Sequence, residues 1–243
     1  MYHMIVLVRK SNAAMLALIF LLSLGIYWLN AEDLRDRETS AQTDGQRCIV
    51  LDPGHGGEDP GAVSQHSGNK EKVINLEIAN YLREIFEGKG YRVIMTRTED
   101  VLQYGKTASS LLQKRKDDLT RRKKIMDESG ADIVISIHMN KFPEEKYWGI
   151  QSFFPPDSPD SERLAAFIQE NVRTLLQPES TRQALVNDRG IIILKQLKTP
   201  TAIVECGFLS NKDEDARLTQ PDYRRQIAEA IAAGVEQYFA GKQ

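Results

Sequence analysis

Four stretches of this 243-residue chain bring chemically capable residues to the ends of apolar runs or the start of an apolar stripe. Residues 48–57 read Cys-Ile-Val-Leu-Asp-Pro-Gly-His-Gly-Gly, where Pro53 with Gly54, Gly56 and Gly57 gives a tight loop and leaves His55 uncrowded. Lys70-Glu71 precedes an apolar stripe of helical spacing. Residues 133–140 run Ile-Val-Ile-Ser-Ile directly into His138 and Asn140, and residues 202–211 deliver Glu205 out of Ala-Ile-Val. Of the four histidines, His3 lies near the start and His66 in a polar loop, whereas His55 and His138 follow apolar runs. Two imidazoles and one carboxylate with a fourth position open form the donor set of a catalytic zinc site. His55, Glu71 and His138 make that set. The metal would lower the pKa of a bound water toward about 7, and a further carboxylate beside that water would then act as general base.

Spacing alone leaves other readings open, because the three ligands are 16 and then 67 residues apart and lack the local period of a His-Glu-x-x-His helix. A histidine after a strand is often a hydrogen-bonded structural residue, and a glutamate at a helix start is favoured by the macrodipole. Glu205 is harder to dismiss. An acid emerging from Thr-Ala-Ile-Val needs a partner, a metal or a raised pKa.

The elements that must position these residues alternate. Ile- and Val-rich runs at 48–51, 91–96, 132–137, 149–154, 191–194 and 201–205 read as strands of a mostly parallel sheet of about six, and helical stripes lie between them. Val73, Leu76, Ile78-Ala79, Leu82 and Ile85-Phe86 form the first stripe; Leu164, Phe167-Ile168 and Leu175-Leu176 the next; Ile227, Ala230-Ile231 and Val235 the last. In such α/β sheets ligands bind at the carboxyl ends of the strands, where the polar residues fall. The predicted class is a single α/β catalytic domain over 47–243. Residues 106–124 hold eight basic side chains around Asp117 and Asp118, and read either as a solvated helical face or as the basic lip of a groove.

Composition narrows the function classes. With 41% hydrophobic and 27% charged residues the chain is globular, which excludes collagen, a disordered tail and a disulfide scaffold. The net charge is −2, and −4 once the first 30 residues are set aside, so the phosphate-neutralising face of a nucleic-acid binder is not expected. Cys48 and Cys206 each sit in an apolar run and read as two buried free thiols, with a disulfide as the other reading. Residues 11–30 carry no charged side chain and would make a helix of roughly 30 Å, enough to span a bilayer. Arg9 and Lys10 precede it and Glu32, Asp33 and Asp36 follow, so residues 1–10 would be cytoplasmic and the body outside. A cleaved signal peptide is the competing reading, although Leu29 is large for the position three before a cut at Ala31. The polar stretch 31–46 reads as a linker.

Taken together, the four signatures resemble those of the zinc-dependent N-acetylmuramoyl-L-alanine amidases: Asp-Pro-Gly-His-Gly-Gly, Lys-Glu before a helix, Ser-Ile-His-x-Asn and Glu-x-Gly-Phe-x-Ser-Asn, all in order within about residues 47–240. The resemblance implies an α/β fold, one zinc ion per chain held by His55, Glu71 and His138, and Glu205 as the acid/base. It implies hydrolysis of the amide between the lactyl group of N-acetylmuramic acid and the L-alanine of the peptidoglycan stem peptide, with Asn140 and Arg122 as substrate contacts.

Thr96-Arg97-Thr98-Glu99-Asp100, Asp118-Leu119 with Arg122, and Phe142-Pro143 before Tyr147-Trp148-Gly149 are similar to the germination-specific spore-cortex amidases. That subfamily implies formation of muramic-δ-lactam together with a separate muramic acid deacetylase, a place in the forespore envelope, and an accessory regulatory protein as a further partner. Two departures stand out: Met126-Asp127 where the broader family usually has Ala-Asn, and Cys206 after the catalytic glutamate. Between His138 and Glu205 the sequence leaves no room for the additional occluding helix that some members carry. The alternatives are a zinc peptidase or deacetylase acting on wall polymer, and a non-catalytic wall-binding protein.

Overall fold

The computed structural model describes residues 46–188, 193 and 197–241. The 11–30 segment and the linker after it lie outside the described residues, as does nearly all of the strand expected at 191–194. None of the described helices is long and apolar enough to cross a membrane.

Six strands form one sheet: β1 (Cys48–Pro53), β2 (Arg92–Met95), β3 (Ile133–Asn140), β4 (Gln151–Phe154), β5 (Leu185–Val186) and β6 (Thr201–Phe208), in the order β2-β1-β3-β6-β4-β5. The β2-β1-β3-β6 pairings are parallel, and β4 runs antiparallel to β6. The helices are α1 (Glu71–Gly88), α2 (Leu111–Glu128), α3 (Pro159–Leu176), α4 (Lys212–Leu218) and α5 (Pro221–Ala240). The mostly parallel α/β sheet is as expected, and among the described residues it includes one strand that the apolar runs do not announce. The two-residue β5 takes the edge, too short to stand out as an apolar run.

Side chains of a strand alternate between faces, and here both faces are covered, which is why the strands read as unbroken apolar runs. Ile49, Leu51, Ile133, Ile135 and Ile137 enter the large core with residues of α1, α3 and α5, such as Ile78, Ile168 and Ile231. Val50, Val134 and Ile203 face the other way, against Met126 and Ile193, with Leu119 packed alongside. The helix α2 therefore stands on the opposite side of the sheet from the other long helices. It buries only Asp118, Arg122 and Met126, one row at four-residue spacing that is ionic toward one end and apolar toward the other. Cys48 and Cys206 are both buried and free, as the first of the two sequence readings has it.

Local signals set the helix ends. Ser110 caps α2 by accepting from the Gln113 amide, and Asn211 caps α4 by accepting from Asp213 and Glu214. Proline occupies the first turn of α3 and of α5, where its missing N–H costs nothing. Glu71 is the first residue of α1, the position that a helix dipole favours for an acid.

Candidate active site

Two of the functional side chains are carried on strands. The strand expected to end at Ile137 continues through His138 to Asn140, and β6 holds Glu205 as expected and continues past it to Phe208. His138 and Glu205 are register partners on these neighbouring parallel strands. The register then slips by one residue before Asn140 pairs with Phe208, a bulge of the kind found beside active sites. Gly207, at φ 141°, supplies the backbone there.

His55 arrives from the loop after β1 and Glu71 from the start of α1. Their atoms converge: Glu71 Oε1 lies 3.2 Å from His55 Nε2 and 2.9 Å from His138 Nδ1. The three candidate donor atoms all lie within 4.8 Å of one another. Tetrahedral zinc with bonds of about 2.0–2.1 Å holds its donors roughly 3.3 Å apart, so the nitrogen–oxygen–nitrogen set fits that ion in spacing and in donor chemistry. Glu71 is 3% exposed, yet its oxygens also accept from the amides of Ala62 and Met139, at 2.7 and 3.0 Å. Burial alone would raise its pKa, but the two histidines hold the carboxyl far below the usual carboxylate range. Burial likewise opposes protonation of His55, and its hydrogen bonds to Asp59 and Glu71 overcome this and raise its pKa to about 9.

The backbone makes room for these side chains. A Cβ on Gly54 would stand 2.2 Å from the His138 ring, and Gly61, at φ 65°, would place one 2.4 Å from Glu71 Oε2. His55 itself has φ 62°, uncommon for a residue with a Cβ. Three cations take up the loop's carbonyls. Arg97 donates to Pro53 O at 2.9 Å and Gly54 O at 2.9 Å. Arg122 donates to Pro53 O at 2.6 Å and His55 O at 2.7 Å, and Lys72 to Gly57 O at 2.6 Å.

Arg122 is thereby placed underneath the loop and not on a face open to substrate. It is 1% exposed, and its remaining donors go to Asp118 at 2.5 Å and Asp52 at 3.0 Å. The expected substrate contact becomes a brace, because every direction of its guanidinium fork meets a protein oxygen. The basic stretch is divided: Lys106, Lys116 and Lys124 are exposed, as a solvated face has it, whereas Arg122 is buried and others are paired. Lys114 pairs with Glu58, Arg115 with Asp59 and Lys123 with Asp127. Asn140 is half-buried; its side chain accepts from the Lys141 amide at 2.9 Å and its carbonyl from Leu209 at 2.9 Å.

Sequence reading missed Asp59. It is 5% exposed, its Oδ2 lies 2.8 Å from His55 Nδ1, and its other oxygen takes the Gly61 amide and Arg115. With Nε2 facing Glu71, Nδ1 is left to Asp59, the carboxylate–histidine arrangement that fixes ring orientation at metal sites. Its setting in Gly-Gly-Glu-Asp-Pro gives no signal of this role in the sequence. The hollow beside these residues is about 180 Å³. A larger one, about 900 Å³, runs along α3 and 178–184 and shares no lining residue with it, so size does not mark the chemistry here.

Comparison with known proteins agrees with this architecture. Residues 49–237 match the N-acetylmuramoyl-L-alanine amidase family. The germination-specific N-acetylmuramoyl-L-alanine amidase of Bacillus subtilis is 36% identical over 198 residues, 81% of this chain and 81% of that protein. The CwlD amidase of Clostridioides difficile, solved in complex with the GerS lipoprotein, superposes with a TM-score of 0.78 at 39% identity, over 80% of this chain and 99% of that one. An N-acetylmuramoyl-L-alanine amidase from Clostridium difficile 630 gives 0.70 at 28% identity, over 82% and 100%. A matched span covering nearly all of the sheet, and close relatives aligned over most of their own length, make this chain a member of the N-acetylmuramoyl-L-alanine amidase family.

Proposed function

We propose that this amidase works with one zinc ion held by His55, Glu71 and His138, and that Glu205 is its acid/base. The bond cleaved is the amide joining the lactyl group of N-acetylmuramic acid to L-alanine. The observation that carries this reading is the meeting of three donor atoms within 4.8 Å, with Glu205 in register beside one of their residues. Zinc in that position supplies Lewis acidity toward the amide carbonyl and a lowered pKa for a neighbouring water.

Glu205 takes a proton from the attacking water and gives it to the departing L-alanine nitrogen, so the carboxylate ends as it began. Asp59 keeps His55 in one tautomer, and the amides of Ala62 and Met139 keep Glu71 aimed at the two histidines that hold it ionised. Likeness to the germination-specific relative supports a role in the spore cortex, where a muramic acid deacetylase would complete the δ-lactam. The lipoprotein bound to the clostridial relative supports an accessory protein partner. Residues 11–30 are proposed to anchor the chain with its catalytic domain outside the cytoplasmic membrane.

Mass analysis of muropeptides after incubation of the zinc-loaded protein with purified peptidoglycan tests the bond. Free L-alanine amines on released peptides with an intact glycan support it; acetate release or cleavage within the peptide overturns it. Glu205→Gln should keep zinc and lose peptide release by about 10²- to 10⁴-fold. An unchanged rate removes Glu205 from the mechanism.

A further inference from the structure

We propose that Phe142 and Tyr147 form a stacking subsite for a neutral N-acetylhexosamine ring of the glycan that flanks the scissile amide. The inference rests on the amidase reading and extends it from the reacting bond to the polymer. The two rings are 42% and 37% exposed, unusual for large hydrophobic side chains set in a braced loop. Their centroids are 5.0 Å apart, and each also contacts the buried ring of Phe208, at 6.4 and 6.5 Å. Phe208 ends β6 three residues after Glu205, and Phe142 follows His138 by four residues, within about 13 Å of it along the chain. The aromatic pair is thus built onto the same end of the two strands that carry His138 and Glu205.

The loop is held in place at four points. The Phe142 amide donates to Ser210 Oγ at 3.1 Å, Lys141 Nζ to Val63 O at 2.9 Å, Asn211 Nδ2 to Glu145 O at 2.8 Å, and Arg182 Nε to Trp148 O at 2.9 Å. A rigid aromatic surface loses little entropy when a ligand settles on it. Beside it lies a cavity of about 320 Å³ lined by Gln65, Lys141, Phe142, Pro143, Glu145 and Ser210. An aromatic wall with a few polar groups is the make-up of a small-molecule site. It matches a pyranose, which has one face of C–H bonds and a rim of hydroxyl and acetamide groups.

Charge bears on the choice between sugar and peptide. Lys141 and Lys146, whose Nζ lies 5.2 Å from the Tyr147 ring centroid, are balanced by Glu144 and Glu145, and Arg182 over Phe208 adds one cation. A lining this close to neutral favours the neutral ring over a stem peptide, whose carboxylates call for a strongly cationic one.

Tetra-N-acetylchitotetraose is the probe, added to the full-length zinc protein in detergent with Trp28→Phe in the background, so that Trp148, next to Tyr147, reports by fluorescence. Binding should be saturable, and Phe142→Leu with Tyr147→Leu, which keeps apolar bulk over Phe208, should weaken it about tenfold. The same variant should raise KM about tenfold on soluble glycan chains, with much less effect on muramyl dipeptide, and Phe142→Tyr with Tyr147→Phe should restore binding. Equal saccharide binding by variant and parent, a loss carried by kcat, or an equal loss on muramyl dipeptide overturns the subsite. Saccharide binding needs no turnover, so a protein that binds the probe but releases no peptide refutes the amidase reading alone.

Discussion

At the scale of single residues, the site depends on groups that hold the ligands as much as on the ligands themselves. Asp59 is the clearest case, with one oxygen on His55 Nδ1 and the other tied to Gly61 and Arg115. Asp59→Asn keeps the size of the side chain but can present an amide N–H where His55 needs an acceptor. We expect zinc affinity, measured by competition with a chromophoric chelator, to fall about 10- to 100-fold. A cobalt-substituted variant with an unaltered visible spectrum and unaltered affinity would remove Asp59 from the ligand frame. His55, Glu71, His138 and Glu205 could be picked out in the sequence because acids and imidazoles at the edges of apolar runs stand out. Asp59 could not, since Gly-Gly-Glu-Asp-Pro reads as an ordinary polar turn until the loop closes on His55.

At the scale of elements, α2 is the brace that the loop after β1 leans on. Arg122 reaches from it to Asp52, Pro53 and His55, and Asp52 in turn accepts from Thr96 at 2.6 Å and Ser136 at 2.7 Å. Arg122→Leu would leave the buried carboxylates of Asp52 and Asp118 without their cation, and should cost about 3–5 kcal/mol in denaturant unfolding. The pH dependence follows from the same network. Burial alone would raise the Asp52 pKa, but Arg122 and the two hydroxyls lower it below the ordinary value. A depressed acid contributes stability that is complete above its unfolded pKa, about 3.9, and is lost as pH falls through the folded value. Asp52→Asn should therefore flatten the acid limb of the stability–pH curve below about pH 4. Equal acid slopes for parent and variant would contradict this. Charge count suggested that α2 faced water or substrate; only its packing shows that one row, Asp118, Arg122 and Met126, points inward.

At the scale of the whole molecule, metal and membrane are the two couplings to test. The proposed zinc site exists only in the folded chain, so chelation should lower the Tm, and zinc at roughly 1,000 times its Kd should return about 4 kcal/mol. Deleting residues 1–30 should move the protein from the membrane to the soluble fraction; continued sedimentation with membranes would contradict the anchor. The sequence by itself determined the fold class, the order of the parallel strands' apolar runs, and the residues that could hold a metal ion. Apolar period and the rarity of acids or imidazoles in such runs are local properties that survive in a one-dimensional text. Tertiary structure alone decided the edge strand β5, the antiparallel turn of β4 and the inward role of Arg122. It alone seated His138 and Glu205 side by side within the sheet, and joined Asp59 to His55. Each of these depends on which distant segment lies within a few ångströms, and hydrogen bonds and ion pairs are fixed by that distance, not by separation along the chain.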